Sequence, residues 1–220
     1  MAMKPKAKTY AVLTCDIVGS RHIEEFRRKR DQKLHHISKL HVAKKWILSE
    51  YAITAWDEFE GILSRPTNVP AVILDLGRHF HPFELWMGIG VGQVSEPYRK
   101  PVNICRGEAF ERAREAMNRL KAKRSKTGIL TSFVTGNETF DLIANTVYHL
   151  HDTLLQNIST KQWQTINVHM ETNRQDLTAK KLRLNETTVS RNLRRGFWWQ
   201  IQETRQAMER VIETYFPDAR

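Results

Sequence analysis

The apolar positions at the start of the chain alternate between the spacing of strands and the spacing of helices. Residues 10–18 form a nearly continuous β-type apolar run that stops at Gly19, which is typical of a buried central strand. Residues 23–50 then carry apolar side chains at helical spacing, with basic residues between them. The pattern predicts a strand followed by a long amphipathic helix.

The segments that follow continue this alternation up to about residue 135. Two short strand candidates flank Trp56-Asp57-Glu58, as expected for a hairpin. The predicted elements are strands over 51–55 and 59–63, a helix over 66–80, a strand over 83–94, a helix over 107–123 and a strand over 128–134. The strand over 83–94 has alternating glycines, which let another backbone or a ligand come close.

The order β-α-β-β-α-β folds most simply as a ferredoxin-like sandwich, an antiparallel sheet with both helices on one face. In that topology the first and third strands are neighbours, so the carboxylates of Asp16 and Asp57 are expected to lie close together. After Thr135-Gly136-Asn137 the pattern becomes almost entirely helical. The sequence therefore predicts an α+β fold with a ferredoxin-like (βαββαβ) domain over 1–135 and an all-α domain over 136–220.

Within the helical part, residues 176–195 space their apolar side chains as two short helices joined by a tight turn. Helices over about 137–157 and 159–170 precede them, and a helix over 198–215 follows. Five residues fit the inner faces of the pair, namely Leu177, Ala179, Leu182, Val189 and Leu193. With Asn185 as a cap on the second helix, the spacing predicts a helix-turn-helix.

The second helix of this pair would present side chains that contact DNA, since hydroxyls and guanidinium groups read base edges and bind backbone oxygens. The predicted DNA-binding residues are Thr187, Thr188, Ser190, Arg191, Arg194 and Arg195. The segment Thr-Val-Ser-Arg-Asn-Leu, residues 188–193, resembles the core of recognition helices in bacterial helix-turn-helix regulators, with Arg183 in place of their common turn glycine. That resemblance implies double-stranded DNA as a partner and a homodimer; a helical hairpin that docks another protein is the alternative.

Composition agrees with a polyanionic partner. The chain has 35 Lys and Arg against 24 Asp and Glu, a formal charge of +11. The densest basic clusters, 27–30 and 119–126, lie outside the predicted helix-turn-helix, where each either extends a DNA footprint or forms a solvated helix face.

Two cysteines without metal-binding spacing argue against a disulfide framework or zinc. No apolar stretch approaches a membrane span, so we expect a cytoplasmic protein with no membrane partner.

A second resemblance involves the front part of the chain. Asp16-Ile-Val-Gly-Ser20, Asp57-Glu-Phe59 and the glycine strand 88–92 resemble, in that order, the catalytic palm of class III nucleotidyl cyclases and GGDEF cyclases. With the hairpin Trp56-Asp-Glu-Phe-Glu-Gly61, the helix start Gly107-Glu-Ala-Phe-Glu-Arg-Ala-Arg114 and a C-terminal helix-turn-helix, the chain is more closely similar to the SatD family.

The resemblance to the cyclase palm implies a site for a nucleotide with Mg²⁺ or Mn²⁺. Asp16 and Asp57 would be the metal ligands, because two carboxylates suit a small hard cation that also binds phosphates. Other residues would contact the nucleotide, its phosphates meeting the backbone: Ile17, Val18, Gly19, Ser20 and Arg114. The plain alternative is that Asp16 ends a strand and Asp57 is an ordinary hairpin aspartate.

Two departures from the cyclase pattern weaken an enzymatic interpretation. Trp56 replaces a glycine that lets a nucleotide approach the hairpin, and Phe110 replaces an asparagine four residues before Arg114. A phenyl ring cannot donate the hydrogen bond that stabilises the transition state, so we assign no catalytic residue. We predict a DNA-binding transcriptional regulator whose front domain senses a nucleotide or dimerises; the alternative is a metal-dependent nucleotidyl cyclase or nucleotidyltransferase that uses Asp16 and Asp57.

Overall fold

A five-stranded sheet forms the centre of the protein. The computed structural model describes residues 8–18, 24–55, 57–98, 100–122 and 128–217, and only the backbone for residues 24–29. The strands are β1 Tyr10–Ile17, β2 Ala52–Ile53, β3 Glu58–Leu63, β4 Leu85–Gly92 and β5 Thr131–Val134. They lie in the order β2-β3-β1-β4-β5, with β5 parallel to β4 and the other pairs antiparallel. As predicted, the first and third strands are neighbours.

Eight α-helices lie in the same described ranges, which makes the fold a mixed α/β fold. They are α1 Glu24–Ala43, α2 Val69–Phe80, α3 Glu108–Ala122, α4 Glu138–Gln156, α5 Thr160–Thr172, α6 Gln175–Leu182, α7 Glu186–Arg195 and α8 Trp198–Tyr215. Every helix and strand expected from the apolar spacing is present, although β2 has only two residues. None of the described helices combines the length and apolar character needed to cross a bilayer.

The first helix ends earlier than the apolar spacing predicts. It was expected to reach residue 50, but α1 ends at Ala43, and Lys45 takes a left-handed conformation with φ of 56°. A left-handed residue cannot continue a right-handed helix. Trp46 and Ile47 keep the helical spacing in the sequence, yet Ile47 forms an isolated antiparallel bridge with Leu63. Apolar spacing alone does not mark the residue at which a buried segment leaves the helix.

Helices cover both faces of the sheet, because alternate residues of β1 point in opposite directions. Leu13 and Cys15 belong to a core shared with α1, α2, α4 and α8, whereas Val12 belongs to a core shared with α3. The glycines of β4 allow α3 to approach closely. A Cβ atom at Gly88 would lie 2.6 Å from the Ala113 carbonyl oxygen, and one at Gly90 would collide with the backbone of α3. These glycines therefore serve backbone packing.

Two helices contribute to the core of the sheet and also to a separate core among the C-terminal helices. In α8, Ile201 packs with the residues of α5–α7, and Met208 packs beneath the sheet. In α2, Leu74 packs in the core of the C-terminal helices, and Ile73 packs in the core of the sheet. The helix pair α6–α7 is thus attached to the sheet through buried contacts. The predicted division into residues 1–135 and 136–220 stays a prediction.

Candidate functional site

The turn between α6 and α7 is held by local hydrogen bonds. Arg183 is left-handed, with φ of 55° and ψ of 42°, at the position where bacterial helix-turn-helix regulators commonly have glycine. This conformation costs a non-glycine residue roughly 1 kcal/mol. The Leu184 amide donates to the Ala179 carbonyl at 2.9 Å, and the Asn185 side chain accepts from the Thr188 amide at 2.7 Å. The predicted cap at Asn185 is confirmed.

The inner face of the helix pair is buried, with one correction to the expected residues. Val189 and Leu193 are fully buried and Ala179 nearly so, as predicted. Leu177 was expected inside but is 41% exposed. Thr178 is fully buried instead, and its hydroxyl donates to the Arg174 carbonyl at 2.7 Å. Successive helix residues are about 100° apart, so the face that buries 178 and 179 turns residue 177 outward.

The opposite side of α7 presents a polar and basic surface, which we call the α7 outer face. Its exposed residues are Thr187, Ser190, Arg191, Arg194 and Arg195, and Thr188 beside them is half-buried. A groove of about 460 Å³ runs along it, lined by Gln175, Glu186, Thr187, Ser190, Arg191 and Arg194. Within the described part of the chain, the guanidinium groups of Arg191, Arg194 and Arg195 form no salt bridge.

The segment around this face is basic overall. Residues 174–195 hold seven Lys and Arg against two Asp and Glu, a net formal charge of +5. Some of these charges are paired, because Arg174 lies 2.6 Å from Asp176 and Lys181 pairs with Glu171. Both pairs lie on or before α6. The cations of this segment that have no ion pair in the described structure are Lys180 and Arg183 on α6 and its turn, and three arginines on α7.

A second group of charges lies where β1 ends and β3 begins, and we call it the carboxylate site: Asp16, Asp57, Glu58 and Lys121. In the antiparallel register Asp16 is opposite Glu58, and the Ile17 amide donates to the Asp57 carbonyl at 3.1 Å. Lys121 reaches over from the last turn of α3. Its Nζ lies 2.8 Å from Asp16 Oδ2 and 3.3 Å from Glu58 Oε2.

The protonation of this site reflects burial and neighbouring charge. Burial raises the pKa of the Asp16 carboxyl, whose side chain is 13% exposed. The hydrogen bond and charge of Lys121 oppose that shift, while the carboxylates of Asp57 and Glu58 add to it. For Lys121, burial disfavours the ammonium, but the hydrogen bond and charge of Asp16, with Glu58, outweigh it and raise the pKa. The two shifts therefore act differently on the pair: the charged form of Lys121 is favoured, whereas the net shift at Asp16 disfavours its ionisation.

The structure brings Asp16 and Asp57 to the same end of the sheet, and the charge of one acts on the other. The amide of Ile17 is bonded to Asp57, and that of Val18 donates to the Glu84 carbonyl at 3.0 Å. A phosphate could bind these two amides only after those hydrogen bonds opened. The contact of Ile17 and Val18 with a nucleotide therefore stays a prediction.

Some predicted residues lie outside the described ranges: Gly19, Ser20, Trp56 and the basic residues 123–126. The side chains of residues 27–29 lie outside them too.

A cavity of about 470 Å³ between β3 and the start of α3 contains the predicted Arg114, and we call it the Arg114 pocket. It is lined by Thr54, Glu58, Glu60, Asn103, Cys105, Arg106, Gly107, Phe110, Glu111 and Arg114. Glu60 is buried and accepts from the Thr14 hydroxyl at 3.1 Å. Burial raises the pKa of Glu60, and this is opposed by the Thr14 hydrogen bond and the charges of Arg114 and Arg106.

Several charged residues of these two sites were not predicted from the sequence. Lys121 was only part of a basic cluster, and Glu58, Glu60 and Arg106 received no role. Two signals were available. Arg114 and Lys121 are seven residues apart, which places them on one face of a helix, and alternate residues such as Glu58 and Glu60 share one face of a strand.

The three carboxylates of the carboxylate site do not provide a metal centre on their own. Among the described residues, no group of three or more His, Cys, Asp or Glu side chains is arranged to hold a metal ion. The ammonium of Lys121 contacts two of the carboxylates. Lys121 therefore contacts Asp16, one of the two predicted metal ligands, and the metal site at Asp16 and Asp57 stays a prediction.

Comparison with models of protein families gives a match over most of the chain. The model of the SatD family matches residues 10–209, from the start of β1 to within α8. No protein of curated function matches the chain.

Proposed function

The chain belongs to the SatD family, and we propose on this premise that it is a DNA-binding transcriptional regulator whose sheet-containing part senses a nucleotide or dimerises. One observation carries the proposal. The outer face of α7 exposes Arg191, Arg194 and Arg195 without intramolecular ion pairs in the described structure, above a fully buried Val189 and Leu193. A rigid helix that offers unpaired guanidinium groups is suited to bind a polyanion.

The chemistry of the α7 outer face favours duplex DNA among polyanions. A major groove about 12 Å wide admits an α-helix, and arginine can bind both guanine edges and phosphates. Thr187 and Ser190 add hydroxyl groups that suit base edges or phosphate oxygens. The proposed homodimer would place two α7 helices in half-sites about 34 Å apart. We propose α6–α7 as the helix-turn-helix, with α7 as its recognition helix.

The proposed ferredoxin-like arrangement of the sheet-containing part has its own support. The order β2-β3-β1-β4, with β1 antiparallel to both neighbours, is the order that a βαββαβ sandwich requires. Helices α1 and α2 contribute to one core on the same face. The additional strand β5 and the helix α3 extend this unit.

We propose the Arg114 pocket as the place where an effector binds. Arg106 and Arg114 offer two guanidinium groups for phosphates, and Phe110 lines the same cavity. The guanidinium groups and the ring suit the phosphates and the base of a nucleotide, and they share the cavity with the carboxyl groups of Glu58, Glu60 and Glu111. A thermal-unfolding titration with each nucleoside triphosphate tests it. We expect one of them to raise the Tm of the wild type and to have a smaller effect on Arg114→Ala.

The alternative function is a nucleotidyl cyclase or nucleotidyltransferase that uses Asp16 and Asp57 with Mg²⁺ or Mn²⁺. The nearness of the two aspartates favours it, and Phe110 and the contact of Lys121 with Asp16 weaken it. Incubation with nucleoside triphosphates and Mn²⁺ separates the hypotheses. Pyrophosphate release that disappears in Asp57→Ala would establish the enzyme, and its absence from the wild type would exclude it.

DNA binding is tested by fluorescence anisotropy with a labelled mixed-sequence duplex at low salt. We expect Arg191→Ala and Arg194→Ala each to weaken binding several-fold, because each removes a cation from the α7 outer face. Arg210→Ala is the matched control. Arg210 is also exposed on a helix, but it lies about 18 Å along α8 from Trp198. An equal loss in all three variants would indicate general charge attraction rather than binding through α7.

A further inference from the structure

The carboxylate site already contains a cation. We propose that the ammonium of Lys121 occupies the position between Asp16 and Glu58 where a divalent metal would bind, so that the site is complete without metal and excludes it. The Nζ atom lies 2.8 Å from Asp16 Oδ2 and 3.3 Å from Glu58 Oε2, so one ammonium contacts both carboxylates. The occupation of this site by Lys121 is independent of any DNA binding by α7.

The oxygens that contact Lys121 are those a metal would need. Magnesium binds carboxylate oxygens at about 2.0–2.1 Å, so an ion on Asp16 Oδ2 would lie within about 5 Å of the Lys121 nitrogen. Two cations at that distance repel each other strongly in a half-buried site, where solvent screens charge poorly. Metal and ammonium are therefore alternatives at this pair of carboxylates.

The surrounding charges explain why the site needs one cation. Asp16, Asp57 and Glu58 are three carboxylates at the meeting point of β1 and β3, and Asp57 and Glu58 both act to raise the pKa of Asp16. The positive charge that faces Asp16 in the described structure is that of Lys121. Without it, the carboxylates would repel one another and attract another cation from solution.

The fold fixes Lys121 in this position. Helix α3 packs its backbone directly onto Gly88 and Gly90 of β4, which neighbours β1. Lys121 lies in the last turn of α3, where the helix dipole favours a positive charge. Its side chain is 41% exposed, and its Nζ atom is the part that contacts the two carboxylates. Replacement of the side chain should thus leave the packing of α3 intact.

The proposal is tested by titrating the protein with Mn²⁺ and measuring free Mn²⁺ by electron paramagnetic resonance. Lys121→Met keeps an unbranched apolar stem and removes the charge. We expect this variant to bind one Mn²⁺ at least tenfold more tightly than the wild type. The added change Asp16→Asn should abolish that gain. Lys121→Arg, which keeps the cation, should behave like the wild type.

Two results would overturn the proposal. One is a folded Lys121→Met variant, verified by circular dichroism, whose Mn²⁺ affinity equals that of the wild type. The other needs no change at Lys121: a Mn²⁺ site in the wild-type protein that Asp16→Asn removes would mean that the metal reaches Asp16 despite the lysine. Equal and weak Mn²⁺ binding by the wild type and Asp16→Asn supports the proposal, even if Lys121→Met does not fold.

Discussion

The α7 outer face and the carboxylate site both concentrate charge, but they differ in how the charge is balanced. Arg191, Arg194 and Arg195 face solvent without ion pairs in the described structure, whereas Asp16 and Lys121 are 2.8 Å apart. A charge that is balanced within the chain does not need a ligand. Exposed cations that the fold leaves unpaired remain available to a partner, which is why we assign the external polyanion to α7.

The largest effect is expected where balanced charges are most deeply buried, at Asp75 of α2. This carboxylate is 2% exposed and lies 2.9 Å from His41 Nε2 and 2.7 Å from Arg78 Nε. Asp75→Asn should lower the free energy of unfolding by about 3–5 kcal/mol, because it leaves buried partners uncompensated. Urea unfolding at neutral pH measures the loss. Asp176→Asn, at an exposed ion pair, should cost far less.

The stability lost in Asp75→Asn should depend on pH. Burial alone would raise the pKa of Asp75, but the hydrogen bond from His41 and the charge of Arg78 outweigh it and hold the pKa below its usual range. A depressed carboxyl pKa stabilises the fold fully above the unfolded value of about 3.9, and this stabilisation is lost progressively as pH falls from there toward the lower folded-state pKa. The stability difference between wild type and Asp75→Asn should therefore shrink as pH drops below about 4. A constant difference would contradict the assignment.

The next largest effect tests whether α7 rests on a packed core. Leu193→Ala should lower the free energy of unfolding by about 2–5 kcal/mol, because the residue is fully buried. Leu177→Ala is the control on the neighbouring helix, and its 41% exposed side chain predicts a clearly smaller loss in urea unfolding. Equal losses would mean that the inner face of the helix pair is assigned incorrectly.

A smaller effect is expected at the start of α7. Asn185→Ala removes the oxygen that accepts from the Thr188 amide at 2.7 Å and should cost about 1 kcal/mol of stability. Asn185→Asp retains an acceptor and serves as the control. Thermal unfolding of the three proteins checks the cap. If alanine and aspartate have the same effect, the side-chain oxygen does not stabilise the helix.

Local apolar spacing was sufficient to predict the helices and strands, since each segment buries one face with the period of its own structure. It failed where a backbone conformation decided the outcome, as at Lys45, which ends α1. It also failed at Leu177, because a short helix leaves the direction of its buried face poorly defined by leucines alone. Lys121 could not be placed, since its contact with Asp16 joins residues more than 100 positions apart in the sequence.

The salt dependence of DNA binding tests the central claim most directly. The observed binding constant for a duplex falls with salt in proportion to the number of phosphates that the protein neutralises. We predict that the wild type binds a mixed-sequence duplex at low salt. In Arg191→Ala/Arg194→Ala the slope of log K against log salt concentration should be smaller by about 2. No duplex binding by the wild type at low salt, or an unchanged slope in the double variant, would contradict the account.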